Sequence, residues 1–201
     1  MFNRARSYSF FLLISFGLTM IGCAKYTPHP LQKPVSKIEE KEDVKVSTTL
    51  LTEKECRHYF SRKMITKGYQ PIQICIRNNS DQGYTFDAQR VNAELEDRDA
   101  VAKALHLDTA KRIAPYAIAG LFFGVFFIPA IVEGVKSHQA NKRLDEDFAQ
   151  RVISSNSRVF IAPGSVLNRV MFIRSENMTT PLTIDLVNRK TKEKLNFVLH
   201  A

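Results

Sequence analysis

The chain has 201 residues, 44% of them hydrophobic, and a formal net charge of +9. That length supports one domain with a core of its own and an appendage. The basic excess suits anionic partners. Its lysines and arginines are interspersed with acids, and no RNP-like, zinc-finger or helix-turn-helix signature occurs, which excludes nucleic acid from the expected partners.

Arg4 and Arg6 form a short basic head, followed by the apolar run Phe10, Phe11, Leu12, Leu13, Ile14, Phe16 and Leu18, closed by Met20-Ile21-Gly22-Cys23. A basic head, a brief apolar segment and a small residue before a cut have the layout of a secretory signal peptide. The run is broken by Ser7, Ser9, Ser15 and Thr19 and falls short of the roughly 20 apolar residues of a membrane span. The closing tetrapeptide resembles the lipobox of bacterial lipoproteins, with Met20 where that family usually has Leu. The resemblance covers this signal alone. It implies removal of residues 1–22, acylation at Cys23, and a body moored to a bilayer outside the cytoplasm. Ala24 and Lys25 lack the Asp that retains such proteins at the inner membrane of enteric bacteria. That implies the outer membrane, facing the periplasm, with the inner membrane as the alternative. Cleavage removes two arginines and no acid, so the charge falls from +9 to +7. Outside the cytoplasm, anionic partners are lipid headgroups, lipopolysaccharide or acidic proteins.

Residues 23–43 read as the lipidated Cys and a disordered tether, with Pro28, Pro30 and Pro34 followed by the charged run Lys37 to Asp43. Residues 44–91 read as the first part of a β-sandwich with one helix. Val44, Val46, Thr48 and Leu50 alternate as a strand, and Thr52-Glu53-Lys54-Glu55 is a capping box. The helix that follows should place Cys56, Tyr59, Phe60 and Met64 on one side and end at Gly68. Tyr69 to Arg77 is a strand with Pro71 at an edge or at the first ladder residue, and Tyr84 to Val91 is another. Cys56 and Cys75 are either a disulfide, favoured by an oxidising compartment, or two buried thiols.

Residues 92–156 have helical character. Asp97 to Leu105 opens with acids, and Ala140, Leu144, Phe148 and Val152 recur every four residues, with Asp145, Glu146 and Asp147 as a solvated face. Between them, 113–132 carries no charge and as one helix would extend about 30 Å, the thickness of a bilayer core. Gly120 and Gly124 have the small-xxx-small spacing of close-packed helices. Residues 157–201 return to strands: Arg158 to Ala162, Val166 to Arg174, then alternating Leu182, Ile184, Leu186 and Leu195, Phe197, Leu199 around the loop Asn188 to Thr191.

About seven short strands with polar turns give a mainly β fold: an immunoglobulin-like antiparallel β-sandwich interrupted by a long apolar helical insertion or hairpin. A single span at 113–132 would put the two strand-rich parts on opposite sides of a membrane, where they could not share a sheet. The insertion is therefore expected to bend near Gly120 to Gly124, or at Pro129. It would meet a bilayer or a protein partner, or self-associate, through Tyr116, Leu121, Phe122, Phe123, Phe126, Phe127 and Ile128.

Neither nucleophile, metal nor phosphate-loop motifs occur, so no catalytic residue, metal or cofactor is expected. The expected function is a noncatalytic, membrane-anchored interaction or assembly module of the bacterial envelope. The alternatives are a bitopic inner-membrane protein with one transmembrane helix at 113–132, or an envelope hydrolase with an unrecognised site.

Overall fold

The computed structural model describes residues 26–32, 38–123 and 127–200. Among these are eight strands: β1 (Ile38–Lys41), β2 (Val44–Leu50), β3 (Tyr69–Asn78), β4 (Tyr84–Asp87), β5 (Arg158–Ile161), β6 (Val166–Arg174), β7 (Leu182–Asn188) and β8 (Lys194–Leu199). The helices are α1 (Glu53–Phe60), α2 (Arg98–Ala104), α3 (Thr109–Phe123) and α4 (Phe127–Arg151). One compact unit comprises 27–106 and 144–201; residues 107–143 belong to a second.

The first unit holds two antiparallel four-stranded sheets, ordered β1-β2-β3-β6 and β5-β4-β7-β8. Period-two alternation sends Ile72, Ile74 and Ile76 from the first sheet and Ile184, Leu186 and Phe197 from the second into one buried cluster. The opposite face of the first sheet is covered by aromatic stacking. Phe172 of β6 lies parallel to Phe148 of α4 at 5.5 Å, Phe60 of α1 meets Phe148 edge-on at 5.5 Å, and Tyr69 meets Phe172 at 6.5 Å. The helical segments 88–157 are inserted into a single antiparallel pair, since Asp87 of β4 lies opposite Arg158 of β5.

Both legs of that insertion are pinned to β6. Glu96 N–H donates to Phe172 O and Ile153 N–H to Val170 O, each at 2.8 Å, and Leu95 and Val152 form isolated bridges to Ile173 and Val170. The legs are tied to each other by the Ser154 hydroxyl, which donates to Asp97 Oδ2 at 2.6 Å. The other Asp97 oxygen accepts the Asp99 and Ala100 amides that open α2.

Several expectations change. The tether is shorter than its composition implies, because β1 forms within the charged run, paired to β2 across the two-residue turn Glu42-Asp43, both residues at positive φ. Residues 27–32 are fastened as well. Thr27 N–H donates to Ser61 Oγ (3.2 Å), whose hydroxyl donates to Thr27 O (3.0 Å). Arg151 donates to His29 O (2.7 Å), and Gln73 and Asn168 donate to Gln32 O and Leu31 O.

The capping box at Thr52 and Glu55 forms, but α1 stops at Phe60 with Ser61 left-handed; Gly68, at φ +82°, closes a separate 3-10 turn at Ile65–Lys67. Pro71 lies in a central strand, between β2 and β6. β4 ends at Asp87, whose carboxylate accepts the Gln89 amide and starts a 3-10 turn in place of more strand. Residues 92–97 are not helical, and Asp147 is ion-paired with Arg151 rather than solvated. Cys56 and Cys75 are both buried and are not joined by a disulfide; burial, with Glu53 and Glu55 nearby, pushes the Cys56 thiol up to about 12.

Hydrogen bonds from the Ser154 hydroxyl and the α2 amides hold the Asp97 carboxyl below its ordinary pKa. The contribution is therefore full above the unfolded value of about 3.9 and is lost as pH falls through the folded one. Asp97→Ala should cost roughly 1–2 kcal/mol in urea unfolding at pH 7, with Asp97→Asn closer to wild type. The wild-type advantage over Asp97→Ala should shrink as the pH is taken below about 4.

Candidate apolar contact site

The uncharged stretch 113–132 is divided between two helices. Ile113 to Phe123 belongs to α3 and Phe127 to Val132 opens α4; residues 124–126 lie outside the described residues. The apolar part of α3 rises about 16 Å, half of a hydrocarbon core. Among the described residues no helix is long and apolar enough to cross a membrane. Pro129 lies within α4.

The two helices are joined antiparallel near their base. The Asn141 side chain accepts the Leu107 amide at 2.7 Å and donates to Leu107 O at 3.1 Å. Further along, Arg112 places Nη2 at 2.9 Å and Nε at 3.2 Å from Glu133 Oε2; the two residues directly flank the uncharged stretch, Arg112 before it on α3 and Glu133 after it on α4. A methyl group at Gly134 would lie 3.8 Å from Ile113 Cγ2, an ordinary contact, so the two helices pass each other there without requiring a glycine.

Between Ile128 and Ser137, α4 turns an acid and a serine inward and its aliphatic side chains outward. On α4 the inward positions are Glu133 (1% exposed), Ser137 (0%) and Ala140, at intervals of four and three. The outward positions are Ile128 (65% exposed), Ile131, Val132 and Val135, the i, i+3, i+4, i+7 pattern that elsewhere marks a core-facing stripe. On α3, Ile118 and Leu121 (78% exposed) continue the exposed apolar surface. Glu133 Oε1 and Ser137 Oγ are buried with no hydrogen-bond partner among the described residues. Such oxygens cost free energy, so this inward face is held by the Arg112 ion pair rather than by a full polar network.

Of the residues expected to make contact, Leu121 and Ile128 are exposed and Tyr116 is half-buried. Gly120, Phe122 and Phe123 fall in α3 and Phe127 in α4, while Gly124, Phe126 and Cys23 lie outside the described residues. The sequence reading missed Ile118, Ile131 and Val135. Their spacing was visible, but apolar periodicity names a face without saying whether that face is covered.

A separate cleft of about 440 Å3 is lined by Gln32, Thr52, Lys54, Glu55, His58 and Tyr59. The Thr52 hydroxyl in its lining donates to the Glu55 carboxylate and accepts the Glu55 amide as a helix cap. His58 stacks on His29, with centroids 4.3 Å apart and planes 6° from parallel. His106 pairs with Asp145 at 2.6 Å. Among the described residues, no group of three or more His, Cys, Asp or Glu is placed to hold a metal ion.

Arg112→Leu leaves the buried Glu133 carboxylate without its partner and should destabilise the helix pair by about 3–5 kcal/mol. Arg112→Leu combined with Glu133→Leu should recover much of that loss, read as a positive coupling in hydrogen-exchange protection of the α3 and α4 amides. Comparison with known protein families, curated proteins and solved structures finds no match to this chain.

Proposed function

We propose that this chain is a lipid-anchored bacterial envelope protein, a noncatalytic interaction or assembly module whose helical arm seats its apolar surface in a membrane leaflet. The observation that carries the reading is the inverted arm: aliphatic side chains of α3 and α4 face outward while Glu133 and Ser137 face inward. Polar groups inside and aliphatic groups outside is the arrangement favoured in hydrocarbon, where a charge must pair with a neighbouring helix and the surroundings are as apolar as leucine. An arm whose apolar part rises about 16 Å dips into one leaflet without crossing, which leaves both sheets on the same side.

The lipobox-like Met20-Ile21-Gly22-Cys23 supports anchoring through acyl chains on Cys23, with the outer membrane as the favoured site. An immunoglobulin-like sandwich is supported by strand order. The chain changes sheets at β3–β4, β5–β6 and β6–β7, so that β6 returns beside β3 and β7 beside β4, connections of the Greek-key kind.

Radiolabelled palmitate should enter the wild type and not Cys23→Ser; equal labelling of both would remove the anchoring claim. In the Cys23→Ser background, the arm alone should keep part of the protein in the membrane fraction. Adding Leu121→Ser, Ile128→Ser and Ile131→Ser should release that remainder, because about 2 kcal/mol is lost for each aliphatic side chain that no longer leaves water.

A further inference from the structure

The surface around α1 is basic for a structural reason. Its two acids are engaged internally. Glu53 accepts the Met64 and Ile65 amides at 3.1 and 2.9 Å, and Glu55 closes the capping box on the Thr52 amide at 2.8 Å. Arg62 is buried, with its guanidinium donating to Leu105 O and Ser61 O. Lys54, Arg57, Lys63 and Lys67 are left exposed, and none forms an ion pair with a carboxylate among the described residues. Glu53 binds the start of the 3-10 turn to the first turn of α1, so these four cations belong to one folded-back element. Lys54 also lines the 440 Å3 cleft, beside Gln32 of the fastened segment.

That element lies next to the place where the lipid anchor must arrive. Thr27 is fastened to Ser61, at the end of α1. Only four residues of chain step from Cys23 to Thr27, a reach of about 14 Å when fully extended. A body held that closely keeps its nearest charges within one or two screening lengths of the headgroups, since the Debye length is about 8 Å at physiological salt.

We propose that the surface bearing Lys54, Arg57, Lys63 and Lys67 rests on the anionic phospholipid headgroups of the leaflet that carries the Cys23 acyl chains. This rests on the lipoprotein reading and extends it by giving the anchored body an orientation: α1 side down, held by charge as well as by the anchor. Each basic residue close to an anionic leaflet strengthens attachment roughly fivefold at low salt.

The test uses the whole mature chain carrying Cys23→Ser, so that surface binding is read without acyl chains. It is sedimented with phosphatidylcholine vesicles containing or lacking 30% phosphatidylglycerol. Replacing Lys54, Arg57, Lys63 and Lys67 together by Gln should weaken binding to the anionic vesicles at least about tenfold and leave binding to neutral vesicles unchanged. The difference should vanish in 0.5 M NaCl. A control with the same loss of net charge, Lys103, Lys190, Lys192 and Lys194 to Gln, should bind as the parent does. All eight side chains are exposed, and matched thermal unfolding checks that both variants fold. Unchanged binding of the first variant, or an equal loss in the control, overturns the assignment. Absent palmitate labelling would sink the lipoprotein reading and leave this measurement standing by itself.

Discussion

The outer edge of β6 is the constraint on which the molecule depends. Seventy residues are inserted between two strands that pair at Asp87 and Arg158, and closing so long an excursion costs about 3 kcal/mol more than a two-residue turn. The amides of Glu96 and Ile153 offset that cost by completing the β6 edge at Phe172 and Val170. They also remove an open strand edge that would invite pairing with another chain. The same strand alternates its side chains between layers, giving Met171 and Ile173 to the intersheet core and Phe172 to the aromatic layer beneath α1 and α4.

Sheet edges are closed elsewhere by side chains. The Glu39 carboxylate accepts the amide of Val198 on β8 at 2.6 Å, and the Lys41 ammonium lies 5.5 Å from the centre of the Phe197 ring while donating to Asn196 O. β1 thereby covers part of the β8 edge with charge rather than with a ladder, a common safeguard against edge-to-edge association. In the second unit Glu133 and Ser137 are buried while Ile118, Leu121, Ile128, Ile131 and Val135 are exposed, alongside exposed Lys111, His138, Gln139, Lys142 and Arg143.

What was legible in the sequence were the local signals. The Thr52–Glu55 box, the alternation of β7 and β8 and the acid opening of α2 need only near neighbours to take effect. What was not legible depends on distant partners. Ile38 to Lys41 carries a single apolar residue and no Asn-Gly turn, so its pairing with β2 leaves almost no trace in composition. The prolines at 28 and 30 suggested a free tether, whereas the backbone around them is held by Ser61 and Arg151, more than thirty and one hundred residues away. Asp147 is a different case: its partner Arg151 stands only four residues on along α4, and the pair is hidden by the run Asp145 to Asp147, which reads as one solvated face. The bend expected near Gly120 to Gly124 or at Pro129 falls partly on residues 124–126, outside the described residues, and Pro129 lies within α4. The inward turn of Glu133 was not legible, because a lone acid flanking an apolar run is ordinarily its water-facing boundary.

The Leu107–Asn141 clasp has one further consequence. Because it brings the outgoing and returning chain together through two hydrogen bonds, everything distal to it is a closed detour whose loss would shorten the path without redirecting it. The arm is in that sense a cassette. The strand pairing that builds both sheets draws on none of its residues.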